Sequence, residues 1–233
     1  MNYYCHQSFH IHSHYVFENK DLKELIRRFQ RSFHPSRSVL GGRNEVCRVS
    51  LPNIGPVVIK QYSRGGLLHK IVKQRYLRLG KPRCRLEFDY LSQLSSLGLK
   101  VPEPVAYAFK GKLIYRAWLI TLEIPNLLPL AEVSADSTSK FESIMDSLVA
   151  QVSILVDHAI FHPDLHPGNA FVTPDNSIYL LDFDKASLFP GKRQKLEKKY
   201  LLRWQRAVSK HSLPQVLAES FSEKFARSRV NSR

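Results

Sequence analysis

The chain has few cysteines, few acidic residues and no long hydrophobic run. Its three cysteines, Cys5, Cys47 and Cys84, are too widely spaced for a disulfide framework or a CxxC metal-binding pair. No stretch approaches the ~18–20 uninterrupted apolar residues of a membrane-spanning helix. The first residues also lack the basic and apolar regions of a secretory signal. These absences predict a soluble protein of a reducing compartment, which we expect to be the cytoplasm.

Positive charge is what the chain has in excess. The 233 residues carry 35 Lys and Arg against 20 Asp and Glu, a net charge of +15, and 43% hydrophobic residues are enough for a packed core. Residues 46–86 contain ten Lys or Arg and no acid, and residues 190–233 contain twelve against three acids. Such segregation predicts an anionic partner, which is a nucleic acid, a phosphorylated ligand or an acidic membrane. A basic surface that only aids solubility explains the second block equally well.

The spacing of apolar residues predicts an α+β chain. Strands with a helix come first, and a helical half follows. The predicted helices cover residues 21–33, 83–97, 139–155 and 193–210, and the predicted strands cover residues 45–51, 56–62, 105–109, 112–122, 170–173 and 177–183. We divide the chain into an N-terminal extension with one helix (1–37), a first lobe (38–123) and a reduced second lobe with a basic helical tail (124–233).

Two segments of the second lobe carry a pattern typical of phosphoryl transfer. They are His162-Pro-Asp-Leu-His-Pro-Gly-Asn169 and Leu180-Leu-Asp182-Phe-Asp184. Carboxylate and amide oxygens such as those of Asp182 and Asn169 are ligands that Mg²⁺ prefers, and Asp164 can accept the proton of an attacking hydroxyl. Together the segments match the catalytic loop and the metal loop of kinases. An ordinary polar turn is the alternative, but it would have to explain both segments.

Two upstream features predict contacts with nucleotide phosphates. Val57-Val-Ile-Lys60 matches the strand motif whose lysine holds those phosphates. Glu87 lies on the apolar face of its predicted helix, where a buried carboxylate needs a cation, and Lys60 is the obvious partner. A solvated Glu87 at the edge of that face is the alternative. Gly41 and Gly42 precede the strand and allow a tight phosphate-covering loop, although the pair is not a GxGxxG motif and a plain loop explains it as well.

Four segments resemble the 3-deoxy-D-manno-octulosonic acid (Kdo) kinases of the lipopolysaccharide core kinase group. They are Lys60-Gln-Tyr-Ser-Arg-Gly-Gly-Leu67, Gly98-Leu-Lys-Val-Pro-Glu-Pro-Val105, Ile124-Pro-Asn126 and Leu181-Asp-Phe-Asp-Lys185. The resemblance covers residues 38–210. It implies a two-lobed protein-kinase-like fold with a minimal C-lobe. It also implies an enzyme that uses ATP and Mg²⁺ to phosphorylate Kdo, at its 4-hydroxyl, on a lipid A precursor.

The resemblance also implies roles and partners. Asp164 is the expected catalytic base, and Asn169 and Asp182 are the expected Mg²⁺ ligands. Lys60 is expected to bind phosphate and to be oriented by Glu87. Candidates on the acceptor or phosphate side are Arg64, His162, His166 and Asp184. The expected partners are Kdo-lipid A and the anionic surface of the inner membrane, with the protein peripheral on the cytoplasmic face and no nucleic acid bound.

Other functions stay open at this point. A heptose kinase of the same family and another small-molecule kinase are the enzyme alternatives, and a catalytically inactive module that binds an anionic membrane or nucleic acid is the third. A protein kinase is disfavoured because Pro163 replaces the arginine that reads an activation-loop phosphate, and no Ala-Pro-Glu motif follows Asp184. An inactive module would have no reason to keep the whole set of kinase residues named above.

Overall fold

The structure is a computed structural model in which the chain divides into two compact units. The first unit comprises Met1–Gln93 and Pro102–Glu123, and the second comprises Leu94–Val101 and Ile124–Arg233. The described residues are 1–31, 36–37, 43–62, 76–77, 80–133 and 138–230. Strands dominate the first unit and helices the second, which confirms the predicted α+β class.

The first unit is built on an antiparallel sheet. Its strands are β1 (Asn2–His6), β2 (Phe9–Ser13), β3 (Ser36–Arg37), β4 (Arg43–Leu51), β5 (Gly55–Gln61), β6 (Tyr76–Leu77), β7 (Pro104–Lys110) and β8 (Ile114–Leu122). They are ordered β1-β2-β7-β8-β5-β4-β3, and β6 pairs with β8 off this path. Helix α1 (Asn19–Gln30) belongs to this unit, and helix α2 (Arg83–Ser96) begins in it. The predicted strands of residues 45–51 and 56–62 are confirmed as β4 and β5, which pair antiparallel, and the predicted helix beginning at residue 83 is confirmed as α2.

Helix α1 closes the core of the first unit. It buries Leu25, Ile26 and Phe29, and the Phe29 ring centroid lies 4.7 Å from that of Trp118 in β8. On β5, Val57 and Ile59 are fully buried in the same core. Successive strand residues point to opposite faces of a sheet, so Lys60 projects from the other face. The alternation of β5 therefore separates the apolar core from the candidate phosphate contact.

The first 37 residues contain more than the one predicted helix. Strands β1 and β2 precede α1, and β2 pairs with β7 with His12 opposite Tyr107. Phe9, Ile11 and Ser13 are buried along β2, which is the alternation of a half-buried strand. The intervening histidines concealed this pattern at the sequence level. The segment therefore completes the sheet of the first unit.

The second unit packs its helices around short strands. Its elements are β9 (Leu128–Pro129), a 3₁₀ turn (Leu130–Glu132), α3 (Thr138–Asp157), β10 (Ile160–Phe161), β11 (Ala170–Val172), β12 (Ile178–Leu180), β13 (Ser187–Leu188), α4 (Arg193–Lys210) and α5 (Val216–Val230). Helix α5 was not predicted, because its apolar stripe is narrow and consists mainly of Leu217, Phe221 and Phe225. Trp204 Nε1 donates to the Leu217 carbonyl at 2.9 Å and joins α4 to α5. Within the described ranges, every helix is too short or too polar to cross a bilayer.

We predict that Phe29→Ala lowers the free energy of unfolding by about 3–5 kcal/mol, because it leaves a cavity between α1 and the sheet. Urea unfolding followed by circular dichroism measures the change. Tyr3→Ala is the control, since Tyr3 is 54% exposed and its loss should cost less than about 1 kcal/mol. A Phe29→Ala protein as stable as the Tyr3→Ala protein would contradict the packing described here.

Candidate active site

Lys60 and Glu87 form a buried ion pair in the first unit. Lys60 Nζ lies 3.0 Å from Glu87 Oε1 and 3.1 Å from Oε2. The Glu87 side chain is 3% exposed and the Lys60 side chain 17%. A carboxylate this deeply buried is costly unless a cation compensates it, which is the argument that predicted the pair. The predicted pairing is confirmed, and it fixes the lysine ammonium at the end of β5.

Tyr62 is a third member of this group that the sequence analysis did not identify. Its hydroxyl donates a hydrogen bond to Glu87 Oε2, and its ring centroid lies 5.2 Å from Lys60 Nζ. The Tyr62 N–H donates to the Ala117 carbonyl at 3.1 Å, which continues the pairing of β5 with β8 past Gln61. Residues two apart on an extended strand share a face, so the spacing of Lys60 and Tyr62 was the available signal.

In the second unit, the loop between β10 and β11 carries Asp164 and Asn169. Asn169 Nδ2 donates to the Asp164 carbonyl at 2.8 Å, and the Asn169 N–H donates to the His166 carbonyl at 2.8 Å. The amide nitrogen of the Asn169 side chain therefore bonds within the loop, and Oδ1 is the side-chain atom that can bind a cation. Across the β11–β12 hairpin, the Leu181 N–H donates to the Asn169 carbonyl at 3.0 Å. Asn169 and Asp182 thus lie at the same end of the hairpin.

These two residues suit Mg²⁺ by their chemistry. The described part of the chain contains no cluster of three His, Cys, Asp or Glu able to hold a metal ion. Mg²⁺ needs no such cage, because it is usually held by one or two carboxylates together with phosphate oxygens and water. Asp182 would supply the carboxylate and Asn169 the amide oxygen. The donor set therefore fits an ion that arrives with a nucleotide.

Asp164 has a cation on each of its carboxylate oxygens. Lys185 Nζ lies 2.9 Å from Oδ2, and Arg203 Nη2 lies 3.1 Å from Oδ1. Partial burial raises the pKa of Asp164, but the hydrogen bond and charge of Lys185 and the charge of Arg203 outweigh it. The net pKa lies below the usual value of a carboxyl group, so Asp164 is ionised at neutral pH. Lys185 and Arg203 were not predicted as site residues.

His162 is an internal anchor of this loop. Its side chain is completely buried, and Nε2 donates to the Leu181 carbonyl at 3.0 Å. Nδ1 accepts a hydrogen bond from the Asp164 N–H at 3.3 Å. Burial lowers the pKa of His162 to about 4, so the ring is neutral. Both ring nitrogens are used inside the fold, which argues against the acceptor-side role predicted for this residue.

The remaining candidates differ in how the structure describes them. His166 Nδ1 accepts from the Gly168 N–H at 3.1 Å, and burial lowers the pKa of His166 with help from Arg203 and His211. Asp184 is partly buried, two residues beyond Asp182. Gly41, Gly42 and Arg64 lie outside the described residues, so the phosphate-covering loop and the Arg64 contact stay predictions.

The fold and these residues define a kinase-like chain. The model of the lipopolysaccharide kinase (Kdo/WaaP) family matches residues 43–225, so the chain belongs to this family. It is 31% identical over 147 residues to the 3-deoxy-D-manno-octulosonic acid kinase of Vibrio parahaemolyticus, covering 62% of this chain and 61% of that one. It is 30% identical over 151 residues to the protein of the same name from Xylella fastidiosa strain M12, covering 64% and 59%.

The chain spans about three-fifths of the length of these curated relatives. Among solved structures, the 2.2 Å crystal structure of WbdD matches with a TM-score of 0.44 and 19% sequence identity. That match covers 72% of this chain and 41% of WbdD.

We predict that His162 makes the fold less stable as the pH falls from 6.5 to 4. The folded chain keeps the ring neutral down to about pH 4, whereas the unfolded chain takes up a proton below the ordinary pKa of 6.5. Protonation of the unfolded chain therefore lowers the free energy of unfolding by on the order of 3 kcal/mol across this range. His162→Gln should show a smaller loss of stability over the same range in urea unfolding.

The matched control is His6→Gln, since the His6 side chain is exposed. It should keep the pH dependence of the parent protein. An unchanged pH dependence in His162→Gln would show that the buried ring does not resist protonation.

Proposed function

We propose that the chain is an ATP-dependent kinase that phosphorylates a Kdo sugar, at its 4-hydroxyl, on a lipid A precursor during synthesis of the lipopolysaccharide inner core. The observation that carries the proposal is the state of Asp164, a partly exposed carboxylate kept ionised beside Asn169 and the strand end of Asp182. Transfer to a sugar hydroxyl needs such a proton acceptor. The names of the matching relatives support Kdo as the sugar.

The residues of the second unit divide the chemistry among them. Asp164 accepts the proton of the sugar hydroxyl as that oxygen bonds to the transferred phosphorus and the bond to the departing ADP oxygen breaks. Asn169 and Asp182 are the residues that would hold Mg²⁺. When bound, the ion would neutralise charge on the phosphoryl oxygens. His162 and the Asn169 amide keep the loop in the conformation that presents the base.

In the first unit, Lys60 is assigned to the nucleotide phosphates. Glu87 holds the ammonium by two short contacts, and Tyr62 holds Glu87 in turn. A lysine side chain is flexible, so this support limits where the charge can lie. Gly41, Gly42 and Arg64 keep the phosphate-side roles that the family resemblance implies.

We predict that Asp164→Asn lowers phosphate transfer to Kdo-lipid A by at least about a hundredfold, because the amide cannot take the hydroxyl proton. Transfer of radiolabelled γ-phosphate measures the rate, and mass spectrometry and NMR of the product identify the sugar and the hydroxyl. Binding of a fluorescent ATP analogue should persist. Asp175→Asn, in the exposed turn after β11, is the control and should keep parental activity.

Each part of the proposal has its own contradicting result. Full transfer by Asp164→Asn would overturn the assignment of the base. Transfer to a heptose-containing acceptor instead of Kdo-lipid A would keep the kinase and replace the sugar. The absence of any ATP-dependent product from the parent protein, together with saturable binding to anionic lipid or nucleic acid, would favour the inactive binding module.

The acceptor is a lipid, and we propose that α4 brings the second unit to the anionic cytoplasmic face of the inner membrane as a peripheral protein. Lys195, Lys198 and Lys199 are exposed on this helix. Two large apolar side chains are also exposed in this part of the chain, Leu188 at 69% and Leu202 at 50%. Lysines around exposed leucines are typical of a surface that contacts lipid headgroups.

We predict that replacing Lys195, Lys198 and Lys199 together by Gln weakens binding to phosphatidylglycerol vesicles by about a hundredfold. Each lysine near an anionic surface contributes about 1 kcal/mol to membrane binding. Added salt should likewise weaken the binding of the parent protein to these vesicles. Replacing the exposed Lys20, Lys23 and Lys140 by Gln removes the same charge elsewhere and is the control. Equal loss in both triple variants would show that net charge, and not α4, governs binding.

A further inference from the structure

The two cations on Asp164 contact its carboxylate oxygens, one of which accepts the hydroxyl proton in the proposed reaction. A carboxylate that takes a proton from a hydroxyl must bring one oxygen within hydrogen-bond distance of it. In the structure, Lys185 contacts Oδ2 and Arg203 contacts Oδ1. The base therefore has a cation on both oxygens. Each oxygen keeps a second lone-pair site for the hydroxyl, but a bound cation makes that oxygen a weaker proton acceptor, so proton transfer is easier once one cation has moved away.

The structure distinguishes the two cations. The Lys185 side chain is 64% exposed, and its Nζ has Asp164 as its hydrogen-bond partner. The Arg203 side chain is 37% exposed, and its Nε is buried beneath the surface. Arg203 also stands on α4 between the buried rings of Tyr200 and Trp204, which fix that helix in the unit. Lysine has a flexible stem and a single ammonium, so Lys185 is the cation able to move.

We propose that Lys185 binds an oxyanion of the reacting partners, moving from Asp164 Oδ2 as they bind, while Arg203 stays on Oδ1 as a positioning residue. The inference rests on the proposed function. The oxyanion is either the carboxylate of the acceptor sugar or the phosphoryl group in transfer, since both are negatively charged oxygens of the same class. In either case, the arrival of the anion frees the oxygen that takes the hydroxyl proton.

If the anion is the sugar carboxylate, this exchange gives the site a preference for an anionic acceptor. Without an anion to take the ammonium, Lys185 stays on Asp164 and weakens it as a proton acceptor. An octulosonic acid carries a carboxylate as well as hydroxyls, whereas a neutral hexose carries hydroxyls alone. The ion pair of Lys185 and Asp164 is thus the resting state, and binding of the anion breaks it.

The test combines a protein change with an acceptor change. Lys185→Met should lower kcat/KM for transfer to Kdo-lipid A by about a hundredfold, as loss of one oxyanion donor does, and Lys185→Arg should restore most of it. The second acceptor is Kdo-lipid A with its carboxylate methyl-esterified. If Lys185 binds the sugar carboxylate, Lys185→Met lowers kcat/KM little further when the acceptor is the ester. If Lys185 binds the phosphoryl group, the loss of kcat/KM from the substitution and the loss from esterification multiply.

Matched variants separate these effects from damage to the fold. Lys140→Met removes an exposed lysine of the same unit and should keep parental kinetics. Arg203→Met should lower kcat with the KM for the acceptor nearly constant, Arg203→Lys should recover part of it, and Arg227→Met, at an exposed position of α5, should change neither. Thermal unfolding of every variant checks the fold.

Parental kcat/KM in Lys185→Met with the unmodified acceptor would overturn the inference. If the parent protein itself transfers no phosphate to Kdo-lipid A, the proposed function fails first. The two failures are therefore distinguishable.

Discussion

The hydrogen bond from His162 Nε2 to the Leu181 carbonyl joins the two segments of the second unit that carry its reactive groups. Asp164 lies two residues beyond the histidine, and Asp182 directly follows the leucine. The bond requires a proton on Nε2 and none on Nδ1, because Nδ1 accepts from the Asp164 N–H. A buried imidazole favours its neutral form, and the two hydrogen-bond partners then select the tautomer with its proton on Nε2.

Burial acts differently on two acidic residues, Glu87 of the first unit and Asp164 of the second. The Glu87 side chain is 3% exposed, and its carboxylate contacts Lys60 within the first unit. The Asp164 side chain is 29% exposed, so a hydroxyl can reach it, and cations rather than burial govern its charge. In a low-dielectric interior the attraction between Lys60 and Glu87 is strong, whereas near the surface solvent weakens each ion pair. The partly exposed Asp164 carboxylate is held by two such pairs, with Lys185 and Arg203.

Local rules predicted much of the site, and long-range contacts account for what they missed. The Lys60–Glu87 pair followed from helix periodicity and the cost of an unpaired buried charge, and the structure confirms it. Arg203 is 39 residues from Asp164 along the chain and looks like any other basic residue of its helix. Only the packing of α4 separates it from Arg206. Strand β2 was missed because histidines occupy the alternate positions of its apolar pattern, and β1 (Asn2–His6) shows no clear alternation of apolar residues.

The backbone at Asp182 has a left-handed conformation, with φ at 68°. Among residues with a side chain, Asn and Asp tolerate this region best, because their short polar groups can bond locally. Glycine would accept the turn but bring no ligand, and glutamate would bring a ligand at a cost in strain. Few residue types therefore suit this position, and the backbone conformation and the need for a carboxylate together favour aspartate. Neither requirement alone selects aspartate, because glycine meets the first and glutamate the second, whereas aspartate meets both.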